Sequence, residues 1–185
     1  MQINAGLLAI ISLLPFCSMT GKTIHQVPAA APLATASQPI DLFDFWVGDW
    51  DISWKNAQGQ IFNGTNRIVK IRDGKVIEEN FLGSAASTPV LKGKSVSVYS
   101  TAKNVWRQTW VDNQGGYISL TAKVDGDKRI FETDPVKRNG AEIIQRMVFH
   151  DIKNDSFTWD WEGTRDSGKT WNNLWKIEYR RKKSQ

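Results

Sequence analysis

Cysteine and histidine are nearly absent from this chain of 185 residues. It contains one cysteine, Cys17, and two histidines, His25 and His150. A single cysteine cannot form an intrachain disulfide, and so few thiol and imidazole groups cannot complete a nucleophilic triad or a usual zinc site. The composition therefore predicts a domain that is held together by its hydrophobic core, without a metal and without a cofactor.

Long apolar runs are also scarce, and the most prominent one lies at the N-terminus. Residues 5–16 (AGLLAIISLLPF) are typical of the hydrophobic part of a secretory signal and are too short to span a bilayer comfortably. The sequence predicts a signal peptide over residues 1–20 and export to the periplasm or the outside of the cell. Cys17 stands where a bacterial lipoprotein carries its lipidated cysteine, so the alternative to free export is a lipid anchor at Cys17. A membrane is predicted as a partner only if Cys17 is lipidated.

A strong excess of one charge is missing once the C-terminus is set aside. The formal net charge is +5, and residues 180–183 (RRKK) carry four positive charges of their own. The remainder of the chain is nearly balanced, which argues against a nucleic-acid partner.

Two stretches separate the predicted export signal from the first strand. Residues 21–40 are rich in Ala, Pro, Ser and Thr and are predicted to be a flexible linker, followed by one domain over residues 41–182. At its start, residues 40–47 (IDLFDFWV) cluster Leu, Phe and Trp within two turns. That cluster predicts a short N-terminal helical plug.

Strand patterns fill the rest of the chain at intervals of roughly ten residues. The predicted strands lie near 49–55, 62–71, 75–82, 92–100, 104–112, 116–124, 128–133, 141–151, 156–163 and 169–180. Turn pairs such as Asp73-Gly74 and Asn139-Gly140 separate them, as antiparallel hairpins require. The pattern predicts an all-β fold, a single antiparallel up-and-down barrel of about ten strands, because closure removes the exposed strand edges.

One turn carries a more specific motif. Residues 164–171 (TRDSGKTW) match the Asp-box pattern of sialidase-type propellers, in which Asp166 would accept backbone amides and Trp171 would cover Gly168. The motif occurs once, whereas a propeller would repeat it in several blades. We interpret it as a stabilised hairpin turn of the barrel.

Tryptophan is abundant, with nine residues, and most of them are spaced two or four positions apart within predicted strands. Strand side chains alternate with period two, so such pairs share one face and would line an interior. The predicted ligand-binding residues are Trp106, Gln108, Trp110, Trp159, Trp161, Trp171, Asn173, Trp175 and Glu78, with Asn80 as a further polar group.

A mostly aromatic wall with a few polar groups is typical of a pocket for a small apolar or aromatic molecule, and Gln108 between two indoles would orient it. In the alternative interpretation, the indoles fill a packed core without any cavity.

Residues 45–50 (FWVGDW) resemble the opening signature of the lipocalin and wider calycin group. More closely, the domain resembles an uncharacterised family of bacterial lipocalin-like domains. The segments that carry this second resemblance are FDFWVGDWDI (43–52), GTNRI (64–68), VIEENF (76–81), WRQTWVDNQGG (106–116), GKTW (168–171) and EYRR (178–181). The resemblance implies a ligand-binding barrel in which Trp50 closes the floor and packs on Arg180 or Arg181, and it implies no activity.

Catalysis has few candidates in the sequence, which does not identify catalytic residues. An inward carboxylate such as Glu78 could serve a cofactor-free isomerase, cyclase or hydrolase. His150, as the one histidine of the domain, could ligate haem by analogy with haem-binding barrels, although a surface position is the simpler interpretation. A third alternative is a non-catalytic envelope or interaction module.

Overall fold

A computed structural model of the protein describes residues 39–183. The predicted signal peptide, Cys17 and nearly all of the predicted linker lie outside these residues. The described strands are β1 (Gly48–Lys55), β2 (Ile61–Ile71), β3 (Val76–Leu82), β4 (Lys92–Ser100), β5 (Val105–Asp112), β6 (Tyr117–Asp125), β7 (Lys128–Glu132), β8 (Val136–Arg138), β9 (Ala141–His150), β10 (Ser156–Thr164) and β11 (Asn172–Arg181).

Ten of these strands form a closed antiparallel barrel. Strands β1 to β7 pair in sequence, β7 pairs with β9, β9 with β10, β10 with β11, and β11 returns to β1. The short β8 lies beside β9, outside the ring, and all three of its residues are exposed. The predicted all-β barrel of about ten strands is confirmed, and its closure leaves no unpaired strand edge within the ring.

The helical content of the described residues is a single 3₁₀ turn, Asp44–Trp46. The structure therefore shows no helical plug of the predicted length over residues 40–47. No helix within residues 39–183 is long and apolar enough to cross a bilayer.

Aromatic side chains pack one end of the barrel solidly. Phe43, fully buried, stacks on Phe131 with ring centroids 4.3 Å apart and meets Trp106 edge-on at 5.7 Å. Phe149 contacts both Phe43 and Trp46. This end of the interior is a close-packed aromatic core.

The first and last strands are joined by an arginine and a tryptophan. The Arg181 guanidinium lies 4.2 Å above the ring of buried Trp50 and donates hydrogen bonds to the carbonyl oxygens of Val47 and Asn154. The Trp50 indole donates to the carbonyl of Trp46 at 2.9 Å. Arg181 therefore makes the contact that the lipocalin resemblance implied for Arg180 or Arg181.

The Asp-box segment forms a hydrogen-bonded turn. Asp166 Oδ1 accepts hydrogen bonds from the Thr164 hydroxyl at 2.6 Å and the Thr170 amide at 2.9 Å, and Oδ2 accepts the Thr170 hydroxyl. These bonds hold the pKa of Asp166 well below its usual range. The Trp171 indole donates to the carbonyl of Gly168 at 3.1 Å. The predicted turn chemistry is confirmed.

Candidate functional site

A cavity of about 150 Å³ remains in the barrel interior beyond the packed aromatic core. Four of the predicted indoles, those of Trp110, Trp159, Trp161 and Trp175, form its wall. The remaining lining residues are Glu79, Phe81, Leu91, Asp112, Ile118, Met147, Ile177 and Tyr179. The interior is therefore not filled completely by its tryptophans.

The aromatic rings around the cavity lie in two orientations that are nearly perpendicular to each other. Trp159 and Trp161 are nearly parallel, at 8° with centroids 6.4 Å apart, whereas Trp175 is inclined by 87° to Trp159. Phe81 meets both Trp110 and Trp175 edge-on, with centroids 5.9 Å apart in each case. Rings in perpendicular planes bound the cavity on adjacent sides, so a ligand in it would contact aromatic rings from more than one direction.

Two of the predicted lining residues, Trp171 and Asn173, lie elsewhere. The pairing of β10 with β11 shifts at Trp161, because Trp161 is opposite Trp175 whereas Glu162 is opposite Asn173. This β-bulge adds one residue to β11. On the N-terminal side of Trp175, the side chains of β11 therefore alternate between the inner and outer faces in the opposite order. Asn173 is consequently exposed, and the expectation that it shares the inner face of Trp175 is wrong.

Trp171 lies beyond the same bulge and packs on the outside of the barrel. The Arg146 guanidinium lies 3.6 Å above its ring and forms an ion pair with Glu162 at 2.7 Å. Trp171 therefore belongs to the Asp-box turn and not to the cavity.

Trp106 and Gln108 point inward on β5 but do not line the cavity. Trp106 lies in the packed aromatic core, where it contacts Phe43, and its indole donates to the carbonyl of Pro39. Gln108 is buried, and its Nε2 donates to the Ser97 hydroxyl at 3.0 Å, while its Oε1 accepts no hydrogen bond. Successive inward residues are about 6.6 Å apart along a strand, so they lie at different depths, and of these three only Trp110 lines the cavity.

The inward carboxylate of β3 is Glu79, whereas Glu78 faces outward. Lys94 Nζ lies 3.2 Å from Glu78 Oε2, and Asn80 donates to Oε1. Those two hydrogen bonds lower the pKa of Glu78. The prediction that Glu78 and Asn80 line the cavity is therefore wrong, because both side chains lie on the outer face of the barrel.

Glu79 is held by two side chains at the cavity. The Ser95 hydroxyl donates to its Oε2 at 2.6 Å, and Asn66 Nδ2 donates to its Oε1 at 2.7 Å. Glu79 is only 5% exposed, and burial raises its pKa from 4.5 to about 6 in spite of these bonds.

Tyr179 completes this polar network. Asn66 Nδ2 also donates to the Tyr179 hydroxyl at 3.0 Å, and the tyrosine ring stacks on Phe157. Burial raises the pKa of Tyr179 well above 10, and the negative charge of Glu79 adds to that effect. Tyr179 is therefore a neutral group at the cavity. In the sequence, Tyr179 follows Trp175 and Ile177 at intervals of two residues, and this spacing places all three side chains on one face of the strand.

Asp112 is the second carboxyl group at the cavity. Its Oδ2 accepts the Trp110 indole at 2.9 Å, and its Oδ1 accepts the amides of Gln114 and Gly116. Partial burial opposes ionisation, but the three hydrogen bonds outweigh it and lower the pKa of Asp112. The side chain fixes the Trp110 indole and carries a negative charge at neutral pH.

His150 lies away from the cavity, on the outer face of β9. Its Nε2 is 2.9 Å from Asp160 Oδ2, and its Nδ1 is 2.8 Å from Asp151 Oδ2. The haem-ligand alternative placed this side chain at a ligand pocket, and the cavity lining does not include it. Across the described part of the chain, no three His, Cys, Asp or Glu side chains converge to hold a metal ion.

The position of Trp110 depends on a glycine. A Cβ atom on Gly93 would lie 2.0 Å from Cη2 of Trp110, so the indole can occupy its place only over a glycine. We expect Gly93→Ala to displace the indole, shift the tryptophan emission, and lower the free energy of unfolding by about 1 kcal/mol. Urea unfolding followed by fluorescence measures both effects. Lys92→Ala, at the exposed neighbouring position, is the control, and equal behaviour of the two variants would contradict the expectation.

No family model and no curated protein matches this chain. Among solved structures, the chain is similar to the S-type phycobiliprotein lyase from Guillardia theta, with 17% sequence identity and a TM-score of 0.45. The similarity covers 78% of this chain and 93% of that chain. Membership of the lipocalin-like family stays a prediction.

Proposed function

We propose that this protein binds a small apolar or aromatic molecule in the cavity between Trp110, Trp159, Trp161 and Trp175. The observation that carries the proposal is a void of about 150 Å³ that four indoles surround, beside a barrel end that is otherwise packed solidly. Close packing is the rule in protein interiors, so an open space of this size is a specific feature.

The size of the cavity limits the ligand. A dry apolar cavity of about this volume in another protein accepts benzene, whereas pockets for drug-sized ligands start near roughly 300 Å³. The ligand, or the part of it that enters the barrel, is therefore about as large as a single ring or a compact branched group.

Two of the alternative functions require features that the site does not have. Catalysis by an inward carboxylate called for an unpaired acid in a large pocket, but Glu78 faces outward and Glu79 lies at a cavity of only about 150 Å³. A purely packed interaction module called for an interior without a void beyond a few waters. The cavity volume of about 150 Å³ is roughly ten times the space that one water needs, which favours binding.

Lipocalin-like ancestry and export complete this proposal. The Arg181 contact on Trp50 supports the former, and the apolar run of residues 5–16 supports the latter. The barrel would then act in the periplasm or outside the cell, with a lipid anchor only through Cys17. Fractionation of cells that produce the full chain, with Cys17→Ser as a comparison, tests the location.

Fluorescence titration tests binding directly. We expect benzene or a comparably small ring that does not absorb at the excitation wavelength of tryptophan to quench or shift the tryptophan emission in a saturable manner, because the ring would contact the cavity indoles. Trp161→Ala should weaken the apparent affinity about tenfold. The matched control is Trp171→Ala, since Trp171 lies outside the barrel.

The proposal is wrong if no small molecule of this class changes the emission of the wild-type protein. It is also wrong if Trp171→Ala reduces the affinity as strongly as Trp161→Ala does.

A further inference from the structure

The cavity lining carries charge of one sign only. Of the described residues that line it, Glu79 and Asp112 are carboxylic acids, and none is lysine, arginine or histidine. The hydrogen bonds around Asp112 keep it ionised at neutral pH. An anionic ligand would meet two carboxyl groups without a compensating positive charge.

The aromatic walls add to this preference. The face of an indole is the negative part of its quadrupole and attracts cations whose charge lies within about 6 Å of the ring centre. Trp159 and Trp175 present rings in perpendicular planes, with centroids 5.8 Å apart. In a cavity of about 150 Å³, a group that fills the space contacts several of the rings at once.

We propose that the ligand of this cavity is a small organic cation, an alkylammonium or quaternary ammonium group enclosed by the indoles with its charge against Glu79. The inference rests on the proposed small-molecule function and specifies the chemical class of the ligand. A buried carboxylate compensates the loss of water around the cation, and the indole faces shield the methyl groups.

The hydrogen bonds to Glu79 leave it available to a cation. Ser95 and Asn66 each donate one bond, to different oxygens, and a carboxylate has about four acceptor positions. Within residues 39–183, the donors that stabilise the charge of this buried carboxylate are these two neutral groups. A bound ammonium would supply the missing counter-charge.

The affinity for such a cation should depend on pH through Glu79 alone. Its pKa of about 6 places the loss of its charge between neutral and mildly acidic pH. The other titratable groups at the cavity keep their state over that range, because Tyr179 has a raised pKa and Asp112 a lowered one. A quaternary ammonium ligand has no titration of its own, so the pH profile reports the protein.

Choline and dimethylbutanol, its uncharged analogue with carbon in place of nitrogen, form the test pair. We expect calorimetric titration of the full chain at about pH 8 to give a Kd for choline about tenfold or more below that of dimethylbutanol. At about pH 5 the choline Kd should rise about tenfold, because only about a tenth of Glu79 stays ionised there, whereas the dimethylbutanol Kd stays unchanged.

Two variants separate the role of Glu79 from a general effect on the fold. Glu79→Gln should abolish the preference for choline and its pH dependence while retaining dimethylbutanol binding. Glu78→Gln, the outward neighbour, should behave like the wild type. Thermal unfolding of each variant verifies that the barrel is formed, and Trp159→Phe serves as a second probe that should weaken choline binding more than dimethylbutanol binding.

The outcomes distinguish this inference from the function on which it rests. Equal or tighter binding of dimethylbutanol by the wild type would overturn the cation assignment and leave small-molecule binding in place. Failure of choline, dimethylbutanol and simple aromatic rings alike would overturn both.

Discussion

Phe43→Ala is expected to lower the free energy of unfolding by about 3–5 kcal/mol, the range typical of a buried aromatic truncation. Phe43 is fully buried, stacks on Phe131 at 4.3 Å, and meets Trp106 and Phe149 edge-on. Truncation removes these ring contacts and leaves a void at the closed end of the barrel. Urea unfolding, followed by circular dichroism at neutral pH, measures the loss.

Tyr117→Ala is the matched control for this prediction. Its side chain is also aromatic but is 73% exposed on β6, so its removal should change the stability by less than about 0.5 kcal/mol. A loss below about 1 kcal/mol for Phe43→Ala would contradict the view that residues 43–46 anchor the core.

Glu79→Gln is expected to become progressively more stable than the wild type as the pH rises. The folded-state pKa of Glu79 is raised to about 6 from 4.5, so folding favours its protonated form. Below about pH 4.5, Glu79 is protonated in both the folded and the unfolded protein, and its ionisation does not lower the free energy of unfolding. As the pH rises through about 6, ionisation of the buried side chain lowers the free energy of unfolding of the wild type, whereas glutamine does not titrate. At neutral pH the difference should reach about 2 kcal/mol, at 1.36 kcal/mol per pKa unit.

The measurement is the difference between the unfolding free energies of the two proteins over about pH 4 to pH 8, in which the other titrations cancel. Glu78→Gln is the control. As the pH rises, this variant should become less stable relative to the wild type, opposite to the trend for Glu79→Gln. Hydrogen bonds lower the pKa of Glu78, so the wild type keeps that contribution at neutral pH and loses it on acidification. A flat difference curve for Glu79→Gln would show that Glu79 titrates normally.

A carboxylate that lowers stability at neutral pH is informative about function. The interior position of Glu79 could be filled by a neutral side chain at lower cost, yet it lies at the one aromatic cavity described above. Costly buried charges are concentrated at functional sites, where a ligand supplies what the folded protein lacks. The proposed cation would stabilise the charge of Glu79 and so raise the free energy of unfolding of the protein at neutral pH.

The barrel itself was predictable from local pattern. Period-two alternation and glycine-containing turns specify strands and hairpins through neighbouring residues only, and ten strands with short connections close in one way that leaves no edge. The exception among the strands was β8, whose three exposed residues carry no alternation. The Asp-box turn was equally local, because Thr164, Asp166 and Thr170 bond within a few residues of one another.

The composition of the cavity was predictable only in part. Alternation correctly grouped Trp159 with Trp161, and it placed Trp110 and Trp175 on inner faces. It could not reveal the bulge opposite Trp161, which depends on the register of β11 against β10 and which turned Asn173 outward. Nor could it show that Gln108 lies deeper than Trp110 and bonds to Ser97 instead of facing the cavity.

The sequence by itself thus determined the strands, their turns and the pairing of Trp159 with Trp161, since each depends on residues close together in the chain. Only the tertiary structure decided that Glu79 rather than Glu78 faces inward, and that Asn66, Ser95 and Tyr179 meet it there. Alternation shows that two residues lie on opposite faces, but which face is enclosed depends on strands that are distant in sequence and on the way the closed sheet is tilted.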